Sequence, residues 1–290
     1  MVSNQTTRKP KVALVVGSGG IKTLGVISLF ELLNEHHIKP DIIYGTSGGT
    51  ILSSLWASGY TIAQMDIFIQ DYITLLKKHP LSKQIDYRTM LSLAGYPGGR
   101  FKADSAVLKK EWLLHFFSEK TGSKKIEDCE IKLKLLCTEL ETGLPYLIDK
   151  GLIGESVYAS CALYPILPPI FLNNKWLVDG VYYSSIPVLQ AVKEGYDNII
   201  VLSFEEKSAT NYGSFFEFYI DFVSKMFINK AKKQNSLAID IHHGEVKFIN
   251  FYYDKAINFW DVDEIDYIRK LSQEVVHNHK DEILNFMKPL

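Results

Sequence analysis

The sequence predicts an α/β layered fold built on parallel strands, and three observations carry that expectation. Two short, nearly all-apolar runs, 11–16 and 41–45, have the character of strands buried on both faces. Each leads through a glycine-containing turn into a stretch whose polar residues recur at helical spacing. Strand, helix, strand, helix within about the first sixty residues is the order of parallel βα units.

Taken in order, residues 1–10 read as a flexible tail ending in Pro10, and 11–290 as one domain with its motifs in 11–205. Residues 23–36 form a mostly buried helix, with Ser28, Glu31 and Glu35 on its polar side. The segment "TILSSLWASG" is a second helix, stopped by Gly59. Residues 61–128 are mainly helical, interrupted at "AGYPGGR". Strands are expected at 131–140, at "KWLVDG" before Asp179, and at "NIIVLSF" around Val201. A long amphipathic helix over 214–241, a late strand "VKFINFYY" and one terminal helix complete the chain at 206–290.

Composition narrows the partners. The 290 residues carry 32 Lys plus Arg against 33 Asp plus Glu, so no strong positive field favours nucleic acid. The three cysteines, Cys129, Cys137 and Cys161, form no C-x-x-C pair and have no His at zinc-ligand spacing, so no metal and no disulfide framework is expected. The polar start "MVSNQTTRKPK" lacks the apolar core of a secretory signal, and no apolar run approaches the roughly 18 residues of a membrane span. A cytoplasmic location is expected, and the aromatic helix "FFEFYIDFVSKMF" with Lys230, Lys232 and Lys233 after it admits two readings, a core-facing helix with a lysine-rich end or a peripheral membrane contact. Oligomeric state is left open.

The glycine-rich loop "VVGSGGIKT" admits three readings. A phosphate loop would need glycines where Val16 and Ile21 stand, and a dinucleotide loop would need a third glycine where Lys22 stands. The third reading asks only for backbone amides converging on one point beside a helix start. Gly17, Gly19 and Gly20 permit that, which makes the loop a candidate oxyanion hole. The nucleophile follows in "GTSGG": Gly45, Ser47 and Gly49 form G-x-S-x-G between a strand and a helix, and the Gly48 amide is placed to join the hole.

A serine hydroxyl needs a base. The histidines after Ser47 are His79, His115, His242, His243, His277 and His279. A Ser-His-Asp arrangement of the α/β-hydrolase kind fits poorly, because Ser47 follows only the second strand. The other candidate is Asp179, in a loop at the end of an apolar run, where burial would raise its pKa toward a useful range.

Together these residues resemble the patatin-like phospholipase family, lipid acyl hydrolases with a Ser-Asp dyad. "GSGGIKT" is similar to the family's strand-G-G-G-x-[KR]-G, and Ser47 lies in its G-x-S-x-G. "ASCALYPILPP" looks like its A-S-x-A-x-P stretch, and Asp179-Gly180 its D-G-[GA]. The resemblance implies a three-layer α/β/α sandwich with a mainly parallel sheet, Ser47 as nucleophile, Asp179 as base, Gly19, Gly20 and Gly48 as oxyanion donors, and Lys22 at the family's basic position. It implies no cofactor and a lipid substrate, with ester hydrolysis through an acyl-enzyme. Three positions depart from the pattern: Ser18, Thr23 and Val181. Two alternatives stay beside this reading, a non-catalytic acyl-lipid-binding regulator and a Ser-His-Asp carboxylesterase.

Overall fold

The computed structural model describes residues 10–79, 105–208, 211–212 and 215–287. The expected tail, apart from Pro10, and the break at 94–100 lie outside the described residues. The strands are β1 (Val12–Val16), β2 (Ile42–Thr46), β3 (Lys132–Glu139), β4 (Pro145–Ile148), β5 (Ile170–Leu172), β6 (Lys175–Asp179), β7 (Asn198–Glu206) and β8 (Glu245–Tyr253). They join one sheet in the order β5-β6-β3-β2-β1-β7-β8, with β4 also pairing with β3. From β3 through β8 the neighbours are parallel, whereas β4, β5 and β6 run antiparallel to their partners.

Every residue of β1 and β2 is buried, as their unbroken apolar character predicts. Leu14 and Val16 feed the larger core, on the face covered by α1 (Ile27–Glu35), α2 (Gly49–Ala57), α3 (Ile62–Lys78), α4 (Glu111–Thr121) and α5 (Ile153–Cys161). Ala13 and Val15 point to the opposite face, packed with Val188 and Ala191 of α6 (Val188–Lys193) and Ala238 of α7 (Phe215–Asp240). Helices on both faces make the three layers. The chain finishes with α8 (Ile265–Asn278) and α9 (Lys280–Met287), which lie against the larger core.

Local signals explain several boundaries. Thr61 and Gln64 form a reciprocal capping box at the start of α3, and Gly59, at φ +84°, ends the preceding turn. Phe30 of α1 stacks on Trp56 of α2 at 4.2 Å between ring centroids, joining the two βα units.

Two expectations are corrected. The helix expected from residue 23 begins instead as a 3₁₀ helix, Gly20–Val26, and becomes α1 at Ile27. Within that turn Gly25 presses against α8 so closely that a Cβ there would lie 1.9 Å from Ser272 Oγ. The single terminal helix is two, divided at His279, where the backbone N–H and the ring Nδ1 both meet the Val275 carbonyl. Among the described residues no helix is long and apolar enough to cross a membrane.

Candidate active site

Ser47 stands one residue past β2, on the tight turn into α2, with φ +53°. An L-residue there costs roughly 1–2 kcal/mol, so the turn must be held from outside. Its flanking glycines allow the close approach that does so. A Cβ on Gly48 would lie 2.5 Å from the Gly20 carbonyl oxygen, and one on Gly49 would lie 2.4 Å from that of Gly17. The Thr50 hydroxyl donates to the Ser47 carbonyl at 2.7 Å. The Ser47 N–H donates to Ser160 Oγ at 3.0 Å, and Ser160, fully buried at the end of α5, donates in turn to the Leu136 carbonyl at 2.6 Å.

Sheet register brings Asp179 to Ser47. Thr46 lies beside Leu136 of β3, and the next β3 residue, Cys137, is paired with Asp179 of β6. Ser47 and Asp179, 132 residues apart, therefore meet across β3, and Ser47 Oγ donates to Asp179 Oδ2 at 2.7 Å. The other carboxylate oxygen, Oδ1, accepts from the Val181 N–H at 2.9 Å. Asp179 is 1 % exposed. Burial pushes its pKa up to about 7, against the lowering effect of the Val181 and Ser47 hydrogen bonds. That suits proton transfer near neutrality. Gly180 is required by space: a Cβ there would lie 2.3 Å from the Leu136 carbonyl oxygen.

The glycine loop closes over the Ser47 turn. The amides of Gly17 and Ser18 are committed to the Leu202 and Ser185 carbonyls at 3.0 and 2.8 Å. Gly20 starts the 3₁₀ helix at φ +56°, where the first N–H groups have no intrahelical acceptor. Its nitrogen is 3.0 Å from where a Gly48 Cβ would be, so the Gly20 and Gly48 backbones share one side of Ser47. Gly19 precedes them as the residue before the 3₁₀ helix, with φ 169° and ψ 11°.

Each departure from the family pattern has a defined place. Thr23 is buried and its hydroxyl donates to the Gly20 carbonyl at 2.7 Å, bracing the loop from inside. Ser18 contributes its backbone N–H, as above. Val181 serves Asp179 through its amide, which any non-proline residue could supply.

Lys22 is 7 % exposed, and its ammonium turns to Glu206 and the Ile257 carbonyl. Neither partner is visible in the local sequence pattern. Ser160 lies in the recognised "ASCALYP" stretch, but only the cross-sheet contact with Ser47 reveals what its hydroxyl does.

The histidines lie elsewhere. His242 meets the Asp197 carbonyl at the start of β7, the opposite end of the sheet from Ser47. His79 stacks on Trp112, His115 faces Glu119, and His279 turns to Val275. Among the described residues no group of three or more His, Cys, Asp or Glu is placed to hold a metal ion.

The family model for patatin-like phospholipase matches residues 14–192, more than half of the chain. A Lysophospholipase NTE1 from Candida albicans is 30 % identical over 207 residues, covering 70 % of this chain. The corresponding protein from Debaryomyces hansenii is 27 % identical over the same length. This chain spans 14 % and 12 % of those two relatives. Among solved structures, VipD from Legionella pneumophila matches at a TM-score of 0.45 and 13 % identity, over 94 % of this chain and 67 % of that one. The type III effector protein ExoU matches at 0.41 and 12 % identity, over 94 % and 53 %.

Proposed function

The chain belongs to the patatin-like phospholipase family, and on that premise we propose that it is a serine acyl hydrolase cleaving fatty-acyl esters of phospholipids or lysophospholipids. The observation supporting this reading most strongly is the 2.7 Å hydrogen bond from a strained Ser47 to a buried Asp179. In the proposed reaction Asp179 takes the proton of Ser47 Oγ as that oxygen attacks the ester carbonyl carbon. The resulting oxyanion is held by the amides of Gly19, Gly20 and Gly48, aided by the positive end of α2. Collapse breaks the carbon–oxygen bond to the alcohol, which leaves with the proton from Asp179. Water then attacks the acyl-enzyme, giving its proton to Asp179, and the released Ser47 alkoxide recovers that proton as the fatty acid departs.

Ser47→Ala and Asp179→Asn should each abolish turnover of short p-nitrophenyl esters by the purified chain, a loss of at least about 10³-fold. Near-wild-type turnover by either folded variant would overturn the dyad. Labelling of Ser47 by a fluorophosphonate probe separates an enzyme from a lipid-binding regulator, which would leave the probe unreacted.

The same reading extends to a membrane surface. Phe218, Phe222 and Met226 are 47 %, 51 % and 55 % exposed and lie four residues apart along α7, on one face. Farther along that helix, Phe227 packs on the ring of Tyr182, and Lys230 donates to the Tyr182 carbonyl, three residues after Asp179. An apolar stripe beside the Asp179 loop would bring a lipid surface to the site from which the substrate is drawn.

A further inference from the structure

The glycine loop is held from behind by a part of the chain that the family match does not reach. Lys22 Nζ meets Glu206 Oε2 at 2.7 Å, with the lysine side chain 9 % exposed and the glutamate 27 %. The same glutamate oxygen accepts the Ile257 N–H at 2.8 Å, and the Ile257 carbonyl accepts from Lys22 at 3.1 Å. Tyr253, at the end of β8, donates its hydroxyl to the Lys22 carbonyl at 3.2 Å. Phe259 completes the brace: its Cα and Cβ stand 2.7 and 2.3 Å from where a Cβ of Gly20 would be. The end of β7, the end of β8 and the segment after it thus converge on residues 20–22, while the matched family region stops at 192.

We propose that Glu206 is a positioning residue for the oxyanion loop. It acts through Lys22 and Ile257 to hold the Gly19 and Gly20 amides against Gly48. An ion pair to a buried lysine is a poor source of net stability but a strong constraint once formed, because removing its partner leaves the buried charge uncompensated. Without the Glu206 carboxylate, the Lys22 ammonium must move toward water. Lys22 is two residues from Gly20, so that movement is transmitted to the amides directly. Donor placement within about an ångström decides much of the rate of acyl transfer, so the clamp acts on chemistry more than on substrate binding.

The test compares Glu206→Gln with the wild-type full chain, since glutamine keeps the size and an acceptor for Ile257 while removing the charge. Amide hydrogen exchange of peptides covering residues 17–26 should become about tenfold faster, with peptides from β3 and α5 unchanged. With p-nitrophenyl butyrate, kcat should fall between about ten- and a hundredfold and KM should stay within about twofold. A merely structural role would instead raise exchange throughout the molecule and lower the fraction of active enzyme. Exchange of 17–26 at the wild-type rate in folded Glu206→Gln overturns the proposal, as does a change confined to KM. If Glu206→Gln does not fold, Glu206→Asp, which keeps the charge but draws the carboxylate back from Lys22, decides by the same two readouts, with a smaller effect in the same direction expected. The kinetic arm rests on the acyl-hydrolase reading. Should the wild-type chain turn over no ester, that reading fails while the exchange arm still decides the clamp.

Discussion

Asp179 carries a tension between folding and chemistry. Burial raises its carboxyl pKa in the folded chain to about 7, whereas an unfolded aspartate titrates near 3.8. Below about pH 4 both states are protonated and the group costs nothing. As pH rises from there through about 7, the unfolded chain releases its proton more readily, so stability falls; the full difference is on the order of 4 kcal/mol. Asp179→Asn removes that cost. Its melting temperature should exceed the wild-type value at pH 8 and converge on it as pH falls toward 4. Equal melting temperatures at pH 8 would mean that the carboxylate is not desolvated. The base role runs the other way: kcat/KM for an ester should rise with pH and level off above about 7, as the carboxylate becomes available. Ser47 adds backbone strain at the same spot. Both partners of the proposed dyad are thus held in states that the fold alone would not favour.

Among the elements, the crossing of the 3₁₀ helix with α8 leaves no free space for a side chain at Gly25. Gly25→Ala would push a methyl group into Ser272, whose Oγ and Cβ stand 1.9 and 2.9 Å from the new atom. Overpacking of this kind costs about 1–3 kcal/mol. The urea midpoint of Gly25→Ala should fall accordingly, and adding Ser272→Ala should recover part of the loss; an unchanged midpoint would show that the crossing yields freely. That contact also shows what a sequence can and cannot announce. β1, β2 and β7 were legible because each is a short apolar run between turn signals. The tight turn at Ser47 was legible because Gly45, Gly48 and Gly49 answer local demands of backbone space. The 3₁₀ start carries no such local signal, and it packs against a helix some 250 residues away. β5 has three residues and exists by pairing with β6, while α5 was recognised as a motif and not as a helix. The partners of Lys22 stand 184 and 235 residues from it, beyond any periodic signal.

At the scale of the whole molecule, the near balance of charge, −1 overall, leaves association to apolar surface more than to long-range attraction. If α7 meets lipid as proposed, replacing Phe222 and Met226 together by serine should lower co-sedimentation with phosphatidylglycerol-containing vesicles by about tenfold or more, with turnover of a soluble ester retained. Equal sedimentation of the variant and the wild-type chain would move the contact elsewhere. The strand order has a separate practical consequence. β1 sits between β2 and β7, and β7 begins at Asn198, after the region matched by the family ends at 192. A fragment trimmed to the matched region would keep both Ser47 and Asp179. It would also turn a fully buried strand of the sheet into an open edge, five consecutive apolar residues whose N–H and C=O groups toward β7 lose their partners. Such a fragment is a template for intermolecular strand pairing, so a soluble catalytic unit has to be cut beyond β8.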